Sequence, residues 1–186
     1  MATSPAVHAS LSVADVVDLG EMLIEIADKY PLDFRTERDF SPLVAAYVRG
    51  RVPASTAEFR VDHGAIDFRF GGTNPCLLEL AVAPRALADS HHPEQRFPGH
   101  SYATQLYSSQ NRAELRKLAA IPQSRARKRF LLLLDLQNAN SRAICDGYKA
   151  ELPSNGKYHP VHVVYVSRKA HLDFTVGGKK RGRKPK

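Results

Sequence analysis

RFLLLLDL, residues 129–136, is a nearly continuous apolar run. A strand with one wet face alternates apolar and polar residues. A run without alternation marks a strand buried on both faces, as in parallel sheets covered by helices. The neighbouring segments agree. NRAELRKLAA (111–120) reads as a helix, with Asn111 and Glu114 in capping-box relation. NSRAICDGYKAEL (140–152) reads as a second helix and PVHVVYVSR (160–168) as a closing strand. Strand, helix, strand implies parallel pairing through right-handed connections.

Upstream, CLLELAV (76–82) is a further strand, and AEFRVDHGAIDFRF (57–70) alternates. That alternation sets Phe59 and Val61, then Ile66, Phe68 and Phe70, on one face, with a tight turn at His63-Gly64. SVADVVDLGEMLIEIADKY (12–30) has apolar residues at 13, 16, 17, 23, 24 and 27, a capping-box pair in Ser12 and Asp15, and Pro31 after its end. It predicts a helix. A second short helix is expected from Ser41-Pro42 to Gly50, with Ser as cap and Pro at the first helical position. The order α-α-β-β-β-α-β-α-β predicts an α/β fold, a mixed sheet of about five strands with helices on both faces. Residues 1–11 are expected to be a flexible N-terminus, 12–168 a single domain and 169–186 a flexible basic tail. Residues 84–103 hold three prolines and show no period. A loop of that length is usually functional, and it could bind another protein.

The chain of 186 residues is 43% hydrophobic and 25% charged, an ordinary globular balance. No apolar run approaches the roughly 20 residues of a membrane span, and MATSPAVHAS lacks the pattern of a secretory signal. Cys76 and Cys145 match neither metal nor disulfide spacing. A cytoplasmic setting is expected, nucleoid-associated in a bacterium or nuclear in a eukaryote. His91, His92, His159 and His162 do not assemble four zinc ligands. Gly71-Gly72 is followed by neither Lys-Ser/Thr nor a helix, so it is no phosphate loop, and Ser108-Ser109 lacks a nucleophile elbow.

The net charge of +8 is uneven. KKRGRKPK, residues 179–186, holds six of the 27 basic side chains and no acid; the other 21 nearly balance the 19 acids. Blocks of like charge stay extended and serve as arms for nucleic acid. Arg181, Gly182, Arg183, Lys184 and Pro185 resemble an AT-hook, which lies in the minor groove of A·T-rich DNA, although Lys184 separates Arg183 from Pro185. The resemblance implies arginines in a narrow groove and a glycine that allows close backbone approach. A generic polybasic tail or import-like signal would also be salt-sensitive on DNA. A second cluster, SRARKR (124–129), offers Arg125, Arg127 and Lys128 to a DNA groove, or simply solubilises a loop.

In AIDFRFGGTNPCLLELA (65–81) each strand carries one acid, Asp67 and Glu79. In a hairpin centred on Thr73 the two sit opposite each other, with Cβ atoms about 5 Å apart. Like charges so placed destabilise a sheet unless compensated. A hard divalent ion such as Mg²⁺ would compensate them, being held by one or two carboxylates plus waters. Arg69 as a diagonal partner of Glu79, or a wet sheet face, would also do so.

This order of elements, an Asp in the second strand and a Glu about a dozen residues on in the third, resembles the PD-(D/E)XK nuclease superfamily, the restriction-endonuclease-like fold. The resemblance spans residues 12–167 and implies that Asp67 and Glu79 ligate Mg²⁺ or Mn²⁺ beside a scissile phosphate. The sequence departs from the family pattern in two places. No Pro precedes Asp67, and Ala81 stands where the family has a water-orienting Lys. Some members supply that cation from the following helix, where Arg112, Arg116 and Lys117 are the candidates and Lys117 is the closest chemical match; Arg112 and Arg116 are then expected to contact the DNA. Gln110, Asn111 and Glu114 could face the same site. The expectation is a metal-dependent DNA endonuclease of restriction or genome-defence type. The alternative is an inactive DNA-binding protein on the same fold. DNA is the expected partner, A/T-rich where the tail acts as the AT-hook it resembles, and a second copy of the chain or another protein is the alternative partner.

Overall fold

The computed structural model describes residues 10–34, 36–52, 55–61, 64–72, 75–83, 106–137, 141–153 and 157–178; for 55–61 it describes the backbone only. Four helices are described: α1 (Val13–Lys29), α2 (Glu37–Arg49), α3 (Ser109–Ala120) and α4 (Ser141–Glu151). The strands are β1 (Ser55–Val61), β2 (Gly64–Phe70), β3 (Cys76–Ala83), β4 (Lys128–Asp135), β5 (Val161–Ser167) and β6 (His171–Val176). They form one six-stranded sheet in chain order. β1, β2 and β3 are antiparallel, β3, β4 and β5 parallel, and β6 returns antiparallel.

β4 is central, and its leucines explain the apolar run. Phe130, Leu132 and Leu134 enter one core with α1, α2, Phe68, Phe70, Leu78 and Leu80. Leu131 and Leu133 enter the other, with α3, α4, Leu77 and Ala81. Period-two alternation thus feeds two apolar faces from one unbroken sequence. α1 approaches the sheet at Gly20, where a Cβ would stand 2.6 Å from Val166 Cγ2.

Several boundaries differ from the sequence reading. α2 begins five residues earlier, because Thr36 and Asp39 form a capping box ahead of Ser41, and Pro42 falls inside the helix. α3 is capped by Ser108, whose hydroxyl accepts from Asn111 N at 3.1 Å, so Asn111 lies within the helix. β6 is a sixth strand inside the segment assigned to the tail; its polar sequence HLDFTV suits an exposed edge and hides the signal. Residues 10–11 belong to the body, since Leu11 is buried and its carbonyl accepts from Lys128 Nζ at 2.7 Å. Ile66 packs in the core opposite to that of Phe68 and Phe70. The proposed turn position His63 and residues 84–105 lie outside the described residues, as does the basic tail 179–186. No helix among the described residues is long and apolar enough to cross a membrane.

Candidate active site

β2 and β3 pair as Phe70↔Cys76, Arg69↔Leu77 and Phe68↔Leu78, the register that would carry Asp67 opposite Glu79; Thr73 itself lies outside the described residues. The ladder ends there, one pair short of Asp67 and Glu79. Beyond it the acids replace the backbone acceptors. Asp67 Oδ2 accepts from Leu80 N at 2.9 Å, and Glu79 Oε2 accepts from Asp67 N at 3.4 Å. The strands open, each carboxylate satisfies an amide of the opposite strand, and Ile66 changes face at this point. Buried amides need such partners.

Glu79 is only 3% exposed. Its cation comes from α3: Lys117 Nζ lies 2.7 Å from Glu79 Oε1. The same ammonium contacts Glu114, one turn back on α3, and the Ala65 carbonyl on β2. Arg69 instead donates to the Gly72 carbonyl at 3.0 Å. Arg112 and Arg116, the other two candidates, turn away. Both pair with Glu151 on α4, and Arg112 also lies over the Tyr107 ring. Ala81 is buried and lines the same pocket without polar atoms to offer.

The pocket has a volume of about 100 Å³ and is walled by Asp67, Glu79, Lys117, Gln110, Asn111 and Glu114, with Glu37 of α2 among its lining residues. Glu37 is not legible as a site residue because Ser41-Pro42 imitates the start of α2. Thr36-Glu37-Arg38-Asp39 carried the signal, a capping box that puts an acid on the first turn.

Burial, reinforced by the Asp67 charge, pushes the Glu79 carboxyl up to about 9, and the Lys117 contact only partly opposes this. Burial, then the charges of Asp67 and Glu114, push Glu37 up to about 7. Burial works against the Lys117 ammonium, but its hydrogen bonds to Glu114 and Glu79 win and its pKa is raised. Glu37 and Glu79 thus keep protons that a cation bound beside them would displace.

Among the described residues, no three His, Cys, Asp or Glu side chains form a ready-made metal cage. The donor set is hard oxygen, with two acids across the strand opening. That suits an ion that keeps most of its waters, as Mg²⁺ does with one or two carboxylates.

Arg125 and Arg127 are exposed on the loop before β4. Lys128 starts β4 about 10 Å along the strand from Leu131 at the pocket, at ~3.3 Å per residue. Arg129, the fourth charge of that cluster, is fully buried and donates to the Ile121 carbonyl at 2.6 Å, so it presents nothing to a partner. Arg181, Gly182, Arg183 and Lys184 lie outside the described residues. Comparison with family models and with curated proteins returns no match.

Proposed function

We propose that the chain is a Mg²⁺- or Mn²⁺-dependent DNA endonuclease of the restriction-endonuclease-like type, in which Lys117 from α3 replaces the strand lysine missing at Ala81. The observation that carries this reading is the Lys117 ammonium on Glu79, beside Asp67, in one pocket. Asp67 and Glu79 would hold the ion. When bound, it would neutralise phosphate charge and make hydroxide available near neutral pH. Lys117 would hold water or a phosphate oxygen and stabilise charge developing there. Gln110 offers a further polar contact at the rim. Arg125, Arg127, Lys128 and the tail residues Arg181 to Lys184 would bind the DNA backbone or, for the tail, an A·T-rich minor groove, as restriction or genome defence at a nucleoid or in a nucleus would require.

A second reading has its own support. Both acids already serve backbone amides, and Glu79 carries its own cation. Such a site could persist in a DNA-binding protein without activity.

Cleavage of supercoiled plasmid in Mg²⁺ and in Mn²⁺ separates the two, with Asp67→Asn and Glu79→Gln as controls that keep acceptors for the two amides. The nuclease reading expects nicked or linear product from the wild type and none from either variant. Wild-type protein that binds the plasmid and leaves it intact in both metals returns the chain to the second reading.

A further inference from the structure

An ammonium has three N–H donors, and Lys117 contacts three acceptors: Glu79, Glu114 and the Ala65 carbonyl. Its side chain is 13% exposed. The three acceptors are not equivalent. Glu79 is the acid assigned to the metal, and Ala65 contributes only a neutral dipole. Glu114 stands on the same helix, contacts Lys117 directly and is not needed to cap either strand.

A divalent ion on Glu79 removes that carboxylate's pull on Lys117. At equal distance it also repels the ammonium about twice as strongly as one carboxylate attracts it. A lysine stem is flexible and strongly hydrated at its tip, so an ammonium so repelled would leave for solvent. What can retain it is a second negative charge on the side of Lys117 away from the strands. Glu114 supplies one, spaced i,i+3 so that the two side chains are neighbours on the helix surface.

We propose that Glu114 is a positioning residue that keeps Lys117 in the pocket when a divalent cation occupies Asp67 and Glu79. The inference rests on the nuclease reading above. It assigns Glu114 a task that appears only in the metal-bound state, where a helix-surface ion pair would act equally in both states.

The test uses the full chain with Mg²⁺ alone, without DNA, and labels accessible lysines with acetic anhydride at one fixed pH. Peptide mass spectrometry reads the Lys117 peptide, and thermal shift confirms that Mg²⁺ binds. In the wild type, Lys117 labelling is expected to stay low with and without Mg²⁺. In Glu114→Gln it stays low without Mg²⁺ and rises severalfold with it. Glu114→Asp keeps the charge at shorter reach and falls between. Plasmid cleavage by Glu114→Gln drops about a hundredfold in kcat, the scale of a reacting group misplaced by ~1 Å, with KM little changed. If Mg²⁺ binds and the wild type cuts, but Lys117 in Glu114→Gln is labelled equally with and without the metal, the Glu114 assignment is wrong and the nuclease reading survives. Equal Mg²⁺-induced exposure of Lys117 in wild type and variant also overturns it. If Mg²⁺ shifts neither melting nor labelling and the plasmid stays intact, both proposals fall together.

Discussion

Lys117 on α3 and Glu79 on β3 meet at 2.7 Å inside a pocket that Asp67 also lines. The contact joins the helix to the strand at the place where β2 and β3 part. It supplies a cation at Glu79 although the strand position two residues on, Ala81, has none. Charge balance in the pocket is incomplete, since Glu37, Asp67 and Glu114 remain around a single ammonium. The consequences can be measured on the metal-free protein first.

Metal-free protein should lose stability as pH rises. Glu37 is raised to about 7 and Glu79 to about 9 from an ordinary 4.5. The folded state therefore keeps protons that the unfolded chain has released. The contribution is full below about pH 4.5, and it is lost as pH rises through about 7 for Glu37 and about 9 for Glu79. In EDTA, Tm should fall between pH 5 and 9. Glu37→Gln should reduce the fall only below about pH 7, whereas Glu79→Gln should reduce it across the whole range and remove most of it above pH 7. At pH 9 Glu79→Gln should be more stable than wild type, by something on the order of 2 kcal/mol after allowance for Lys117. Parallel wild-type and Glu79→Gln curves across pH 7–9 would contradict the assignment.

Divalent metal should act in the opposite sense. An ion that binds only the folded chain stabilises it by about 2.7 kcal/mol at a hundred times its Kd. In a domain of this size that is a Tm rise of roughly 5–10 °C. Because Glu79 must surrender its proton to become a ligand, affinity should increase with pH between 6 and 9. Calorimetric titration with Mn²⁺ at pH 6 and pH 8 gives the comparison, and proton release can be read from the dependence on buffer ionisation. Affinity that is flat with pH would mean that the metal does not bind at Glu79.

Gly20→Ala should destabilise the fold although alanine is the better helix former by about 1 kcal/mol. The new Cβ would stand 2.6 Å from Val166 Cγ2 and 3.0 Å from Val166 Cβ, and Val166 is fully buried in β5. Neither the helix nor the central sheet can give way cheaply, and overpacking of this kind costs about 1–3 kcal/mol. Chemical denaturation should show a lower midpoint with an unchanged slope. A variant as stable as wild type would mean that α1 is free to lift from the sheet.

How much of this could be read from sequence follows from what each signal depends on. RFLLLLDL identified the central strand because burial on both faces needs only local composition. The register about Thr73 is an assumption at the level of sequence, resting on the equal spacing of Asp67 and Glu79 about that residue. The pairs from Phe70↔Cys76 to Phe68↔Leu78 agree with it. The opening beyond Phe68 and Leu78 is not legible there, because the carboxylates themselves create it by taking backbone donors. Lys117 was recognisable by type, but its separation from Arg112 and Arg116 depends on Glu151, an acid on another helix. Glu37 is hidden by Ser41-Pro42, which mimics a helix start five residues late. β6 was hidden by its polarity, which an edge strand tolerates and a buried one does not.

Deleting residues 179–186 tests the tail independently of the pocket. The deletion removes six basic side chains. Each phosphate contact contributes about 0.9 to the slope of log Kobs against log salt, so the slope should shrink by up to about 5. If the tail follows the AT-hook pattern, the loss in affinity should be larger on A·T-rich than on G·C-rich duplex. A truncated chain with an unchanged slope would remove the tail from DNA binding and leave Arg125, Arg127 and Lys128 as the candidates.

The position of the cation can itself be exchanged. Lys117→Met keeps the length of the stem and removes the charge, so cleavage should fall by about 10²–10³, the usual scale for a positioned proton donor or charge stabiliser. Ala81 lies two residues after Glu79 on β3 and already lines the pocket, paired with Leu133 of β4. Ala81→Lys in the Lys117→Met background would bring an ammonium to the same acids from the strand in place of the helix. That double variant should recover part of the lost activity. Ala81→Lys alone should be less active than wild type, because two ammonium groups would then compete for one set of acceptors. Melting curves guard against misfolding, since Ala81 is buried and a longer side chain there must extend into the pocket. If the double variant folds, binds Mn²⁺ and still cuts no better than Lys117→Met, the chemistry requires more of α3 than its lysine, and Gln110 and Glu114 become the residues to exchange next.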